Sequence, residues 1–143
     1  SCLEFNTKGL PITNIKAAIV NQPKKIKLHH SSNRTAHNVI VPMKSEGDYE
    51  EVDGITIEQL FTDHNIEHVD FLKLDIEGAE FEVLGGEPFT KVSDKIDMII
   101  GEMRDWAGRN FGQVRWALKR NGFDYHTIEA DASLFVARRI DGK

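Results

Sequence analysis

Asp75, Glu77, Glu80 and Glu82 crowd one short stretch, Val-Asp-Phe-Leu-Lys-Leu-Asp-Ile-Glu-Gly-Ala-Glu-Phe-Glu-Val-Leu at 69–84. A carboxylate here can orient a hydroxyl and take its proton, and Asp75, Glu77 and Glu80 together with Glu102 could hold a hard cation such as Mg²⁺. Asp75 directly follows a short apolar run that suits a buried strand, and ligands of open α/β sheets bind beyond the carboxyl ends of their strands. Glu77 and Glu80 stand three apart and can share a helix face. A purely structural reading fits the same residues: carboxylates in a first helical turn complement the helix dipole, and Asp75 can serve as a cap. Lys73 falls on the same strand face as Asp75 by two-residue alternation, so an ion pair between them is expected. Glu102 ends a second apolar run, Ile96 to Ile100, and adds a carboxylate at the same expected edge. Arg104, Asp105 and Trp106 follow it, a polar and aromatic mix suited to a pocket rim, or an ordinary loop whose tryptophan packs on the core.

Other chemistries find no support in the spacing. The six histidines include the neighbours His29 and His30, neither of which belongs to an H-x-x-x-H, and the single cysteine, Cys2, rules out an internal disulfide and a cysteine-based zinc finger. No metal site is expected from these spacings. There is no G-x-x-x-x-G-K-[ST] for phosphate binding and no G-x-S-x-G nucleophile elbow. Eighteen basic against 23 acidic residues, a formal charge of −5, argue against a broad nucleic-acid-binding face. No apolar run reaches the roughly 18 residues of a membrane helix, and no signal peptide opens the chain. A cytoplasmic setting is the expectation.

The elements that must position these residues are legible in outline. Cys2 to Leu10 has helical apolar spacing, stopped by Gly9 and Pro11. Ile15 to Val20 and Lys25 to His30 flank Asn-Gln-Pro-Lys turn chemistry and predict a hairpin. Val39 to Met43 suits a short extended segment, and Lys44 to Glu51 a charged surface connection. Thr56 and Gln59 have capping-box spacing before Ile57, Leu60 and Phe61, which share one helical face. Then come the strand 69–74, a brief helix from Ala79 ended by Gly85-Gly86, the strand 96–100, a helix 111–120 and two terminal strands, 124–130 and 133–139. Buried runs alternating with helices predict an α/β fold with a mixed sheet and a C-terminal β-hairpin. The 143 residues suffice for one domain.

Leu-Lys-Leu-Asp-Ile-Glu-Gly-Ala-Glu-Phe-Glu-Val-Leu-Gly-Gly at 72–86 resembles the signature of the FkbM-type methyltransferases, close to "lKiDvEGaE…vLkG". The flanks resemble the family too: Ala17-Ala18 at a strand end, Gly54 to Leu60 at a helix start, Ile96 to Glu102, and Lys119 to Phe123 at a turn. The resemblance implies S-adenosylmethionine-dependent methyl transfer to a hydroxyl of a small molecule or sugar, on a Rossmann-like class I fold. It implies catalytic roles for Asp75, Glu77 and Glu102, cofactor contacts for Ala17, Ala18 and Asp75, and substrate contacts for Glu80, Arg104 and Trp106. One departure stands out. The family's fold holds the cofactor with an early strand and a glycine-rich loop, and no G-x-G occurs in this chain. Residues 1–143 are therefore expected to form one truncated methyltransferase-like domain without the first two strands, inactive by itself. Its strand 69–74 would then have an open edge, available to a second copy of the chain. A non-catalytic α/β binding module and a carboxylate-based metal-dependent hydrolase stay open as alternatives.

Overall fold

The computed structural model describes residues 2–29, 49–76, 78–103, 111–128 and 131–140. Glu77, Arg104 and Trp106 lie outside these, as do the expected extended segment 39–43 and most of the expected charged connection before Glu51. The described chain runs α1 (Cys2–Thr7), β1 (Ala17–Ile19), β2 (Lys24–His29), β3 (Tyr49–Ile55), α2 (Ile57–Asp63), β4 (Val69–Leu74), α3 (Glu80–Gly85), α4 (Glu87–Val92), a 3₁₀ turn (Ser93–Lys95), β5 (Ile96–Glu102), α5 (Phe111–Arg120), β6 (Phe123–Ile128) and β7 (Asp131–Arg139). This is an α/β arrangement with two mixed sheets.

The smaller sheet has the order β1-β3-β2, with β1 parallel and β2 antiparallel to β3. The expected hairpin of β1 and β2 does not form, because β3 lies between them. Nothing in Tyr-Glu-Glu-Val-Asp-Gly-Ile looks strongly apolar, and its start, Tyr49 to Glu51, falls in the expected charged connection. Yet Val52 and Gly54 are buried while Glu51 and Asp53 are exposed, which is the two-residue alternation of a one-sided strand. Val52 packs with Val20 and Ile26 in a small cluster of its own.

The larger sheet has the order β4-β5-β7-β6. β4 and β5 run parallel, β7 is antiparallel to β5, and β6 is antiparallel to β7. β5 carries the most apolar run and takes an inner position, with Ile96 and Ile99 fully buried. β4 was expected to be a largely buried strand. Only Leu74 is buried, because β4 ends the sheet: Val69 and Leu72 are half-buried and Phe71 is exposed.

The helices cover the larger sheet. Thr56 caps α2 as expected, its hydroxyl accepting from the Gln59 N–H at 3.0 Å. Lys91 of α4 ties back to Glu58 of α2 at 3.2 Å. α5 buries Val114, Ala117 and Leu118, at i, i+3 and i+4, and leaves Trp116 outside under the Arg120 guanidinium. The main core joins these helices to the sheet through Leu84, Phe89, Met103, Leu118, Phe123 and Phe135, with Phe89 stacked on Phe123 and Tyr125 on Phe135. Burial pushes the Tyr125 phenol above its ordinary pKa, against the opposing pull of Arg115.

Candidate active site

The parallel pairing of β4 with β5 is what brings the carboxylates together. The register matches Lys73 with Ile100 and Leu74 with Gly101, so Asp75 takes the position beside Glu102. Both strands finish at one edge of the sheet. β5 is held there from its other side by β7, where Glu102 pairs with Leu134 and the Met103 N–H bonds the Ser133 carbonyl at 2.8 Å. Asp75 is exposed and Glu102 half-buried. The Lys73 ammonium donates to Asp75 Oδ2 at 3.0 Å, the ion pair expected from the alternation.

Close approach at this edge depends on Gly101. A β-carbon there would fall inside contact distance of the Phe135 ring of β7, which is fully buried. The glycine thus lets an aromatic side chain lie flat against β5 one residue before Glu102.

Glu80 does something that sequence spacing did not reveal. It opens α3 with no surface exposed, and both of its oxygens accept from backbone amides of the loop after β4: Oε1 from Ile76 N–H and Oε2 from Gly78 N–H, each at 2.8 Å. Gly78 has φ +98°, a conformation open to glycine and strained for other residues. The carboxylate therefore closes the loop that carries Asp75 into a fixed shape. The signal was present as Asp-x-Glu-Gly-x-Glu, but i, i+3 spacing suggested a helix face shared with Glu77 instead of a bond back to the loop.

Ala17 and Ala18 sit on β1 of the smaller sheet, paired with Asp53 and Gly54, and so belong to a different sheet from Asp75 and Glu102. Of the four carboxylates weighed for a cation, Glu77 lies outside the described residues, and Asp75, Glu80 and Glu102 form no ligand group among the described residues. Another set of residues does form one: His68, Asp70 and Asp97, all exposed, with His68 Nε2 at 3.5 Å from Asp70 and 3.2 Å from Asp97. It stands at the opposite, amino-terminal end of β4 and β5.

A model of the Methyltransferase FkbM domain family matches residues 7–125. The chain belongs to this family. The match spans α1's last residue to the middle of β6 and includes the whole of the Asp75 loop and the β5 edge. The FkbM domain match ends at Tyr125, so β7 lies beyond it although it supplies β5's second neighbour. No curated protein and no solved structure matches the chain significantly. Among the described residues, no helix is long and apolar enough to cross a membrane.

The family implies S-adenosylmethionine as methyl donor. The carboxylates at the β4–β5 edge can accept hydrogen bonds from hydroxyl groups. The ligand's own carboxylate needs N–H donors, as a glycine-rich loop supplies them. In the loop after β4 those of Ile76 and Gly78 are already taken by Glu80. Neither of these two amides is open to that carboxylate.

Proposed function

We propose that this chain forms the acceptor side of an S-adenosylmethionine-dependent O-methyltransferase, on a partial Rossmann-like fold that its two terminal strands close as a hairpin. The acceptor is a hydroxyl of a small molecule or sugar, and the setting is cytoplasmic. The observation that carries this reading is the shared ending of two parallel strands, which sets Asp75 beside Glu102 at the sheet's carboxyl edge within the family's match. Such an edge is where open α/β sheets bind ligands.

In this reading Asp75 receives the acceptor hydroxyl: one carboxylate oxygen accepts its hydrogen bond and can take its proton as the oxygen becomes a nucleophile. Lys73 donates to Oδ2 of that carboxylate and helps to hold it in place. Glu102 flanks the same opening; the family resemblance gives Glu77 a catalytic role and Arg104 and Trp106 a role in holding the acceptor, and these three lie outside the described residues. Glu80 acts through the backbone: it holds the amides of Ile76 and Gly78 and thereby the approach of Asp75. Ala17 and Ala18 are the remaining family positions on the cofactor side.

Isothermal titration of the chain with S-adenosylmethionine tests this assignment of one half of a site. We expect no dissociation constant tighter than about 1 mM, equivalent to about −4 kcal/mol. Submillimolar affinity would show that the chain holds the cofactor without a glycine-rich loop and would overturn the reading.

A further inference from the structure

We propose that His68, Asp70 and Asp97 bind one divalent cation of the zinc class at the amino-terminal end of β4 and β5. Two features of the chain bring the three side chains together. His68 stands two residues before Asp70, directly ahead of β4, and its ring reaches the Asp70 carboxylate. Asp97 comes from the neighbouring strand. The register pairs Val69 with Ile96 and Phe71 with Met98, so Asp70 and Asp97 lie side by side at one level of the sheet. The site is made by the pairing of β4 with β5 alone. It stands at the other end of those strands from Asp75 and Glu102 and shares no residue with the proposed acceptor side.

The distances fit a small tetrahedral ion. Zinc bonds to nitrogen and oxygen of about 2.0–2.2 Å set neighbouring ligand atoms of a tetrahedron roughly 3.3–3.6 Å apart. His68 Nε2 is 3.5 Å from Asp70 Oδ1 and 3.2 Å from Asp97 Oδ2, and one ligand atom from each of the three residues lies within 4.8 Å of the others. Both carboxylates are exposed and can turn to close the remaining gap. The imidazole nitrogen sits between them without bonding to either: among the described residues, His68 makes no hydrogen bond. The other histidine beside a carboxylate differs, since His126 Nε2 is hydrogen-bonded to Asp124 Oδ2 at 2.9 Å.

Charge and ligand type point the same way. Two carboxylates at one level of adjacent strands repel each other, and among the described residues no lysine or arginine pairs with either. A divalent cation offsets both charges at once. The imidazole selects which cation, because Mg²⁺ and Ca²⁺ take oxygen ligands whereas Zn²⁺ takes nitrogen and oxygen together. Three protein ligands leave one position of the tetrahedron for water. The bound ion would tie the segment ahead of β4 to the start of β5.

Isothermal titration with Zn²⁺ in a Cys2→Ser background tests this. The expected result is one Zn²⁺ per chain, not displaced by excess Mg²⁺, with affinity at least about tenfold lower in His68→Ala and in Asp97→Asn and unchanged in His126→Ala. All three positions are exposed, so the variants should keep the parent's circular dichroism spectrum. Thermal unfolding gives a second reading: Zn²⁺ should raise the Tm of the parent and of His126→Ala, and not that of His68→Ala. A chain that binds no Zn²⁺, or binding that survives both His68→Ala and Asp97→Asn, would overturn the proposal. So would equal weakening by His68→Ala and His126→Ala.

Discussion

Replacing Glu80 by alanine should destabilise the fold by about 3–5 kcal/mol, the largest single-residue effect we expect near the site. The magnitude follows from the geometry. Hydrogen bonds to an ionised group contribute about 1.5–3 kcal/mol each, and Glu80 makes two at 2.8 Å from a fully buried position. Alanine would leave the Ile76 and Gly78 amides without their acceptor in a loop that already holds Gly78 at positive φ. Glutamine keeps one oxygen but presents an NH₂ to the other amide, so Glu80→Gln should lose a smaller, intermediate amount. Urea denaturation measures both. Domains of this kind are stable by only about 5–15 kcal/mol, so the alanine variant should have a sharply lowered midpoint. A loss below about 0.5 kcal/mol for Glu80→Ala, within the range of ordinary surface changes, would mean that the loop does not depend on this carboxylate.

Adding a single methyl at Gly101 should cost about 1–3 kcal/mol, the usual range for overpacking. The new β-carbon would meet the Phe135 ring, and that ring is confined by full burial and by its stack on Tyr125. Neither the ring nor β5 can move cheaply, since β5 is paired on both sides at this level. Shrinking the ring should relieve the clash. In a double-mutant cycle, Gly101→Ala combined with Phe135→Leu should be less destabilised than the sum of the two single changes, with a coupling of about 0.5–3 kcal/mol. Additive losses would show that the two residues do not meet as described.

The sequence foretold some features better than others, for physical reasons. β5 was legible because a continuous apolar run is what an inner strand needs. α2 was legible because Thr56 and Gln59 stand at the spacing of a cap, and the hydroxyl does make that bond. β3 was missed because half of a one-sided strand faces water, and its exposed Glu51 and Asp53 obscured the buried Val52 and Gly54. α4 was missed as well, with Pro88 near its start serving as a helix opener and not as a breaker. Once β3 went unread, the local turn at Asn21-Gln22-Pro23-Lys24 made a hairpin of β1 and β2 the natural inference. Pairing between strands distant in sequence leaves no local signal. In the site, the apolar runs placed Asp75 and Glu102 at one edge, and alternation gave the Lys73–Asp75 pair. The bond of Glu80 back to Ile76 and Gly78 was not legible, because it depends on the shape of a turn that spacing alone does not fix. The meeting of His68 and Asp70 with Asp97 depends likewise on the β4–β5 register.

The claim that ligand binds at the carboxyl edge of β4 and β5 can be tested residue by residue. The measurement is a heteronuclear NMR titration of the ¹⁵N-labelled chain with S-adenosylmethionine taken into the millimolar range. Our account predicts weak, saturable amide shifts concentrated at Asp75, Ile76, Gly78, Glu102 and Met103, diminished in the Asp75→Asn and Glu102→Gln variants. Shifts centred instead on His68, Asp70 and Asp97 at the other end of the same strands, or no shift at any of the named amides, would contradict it.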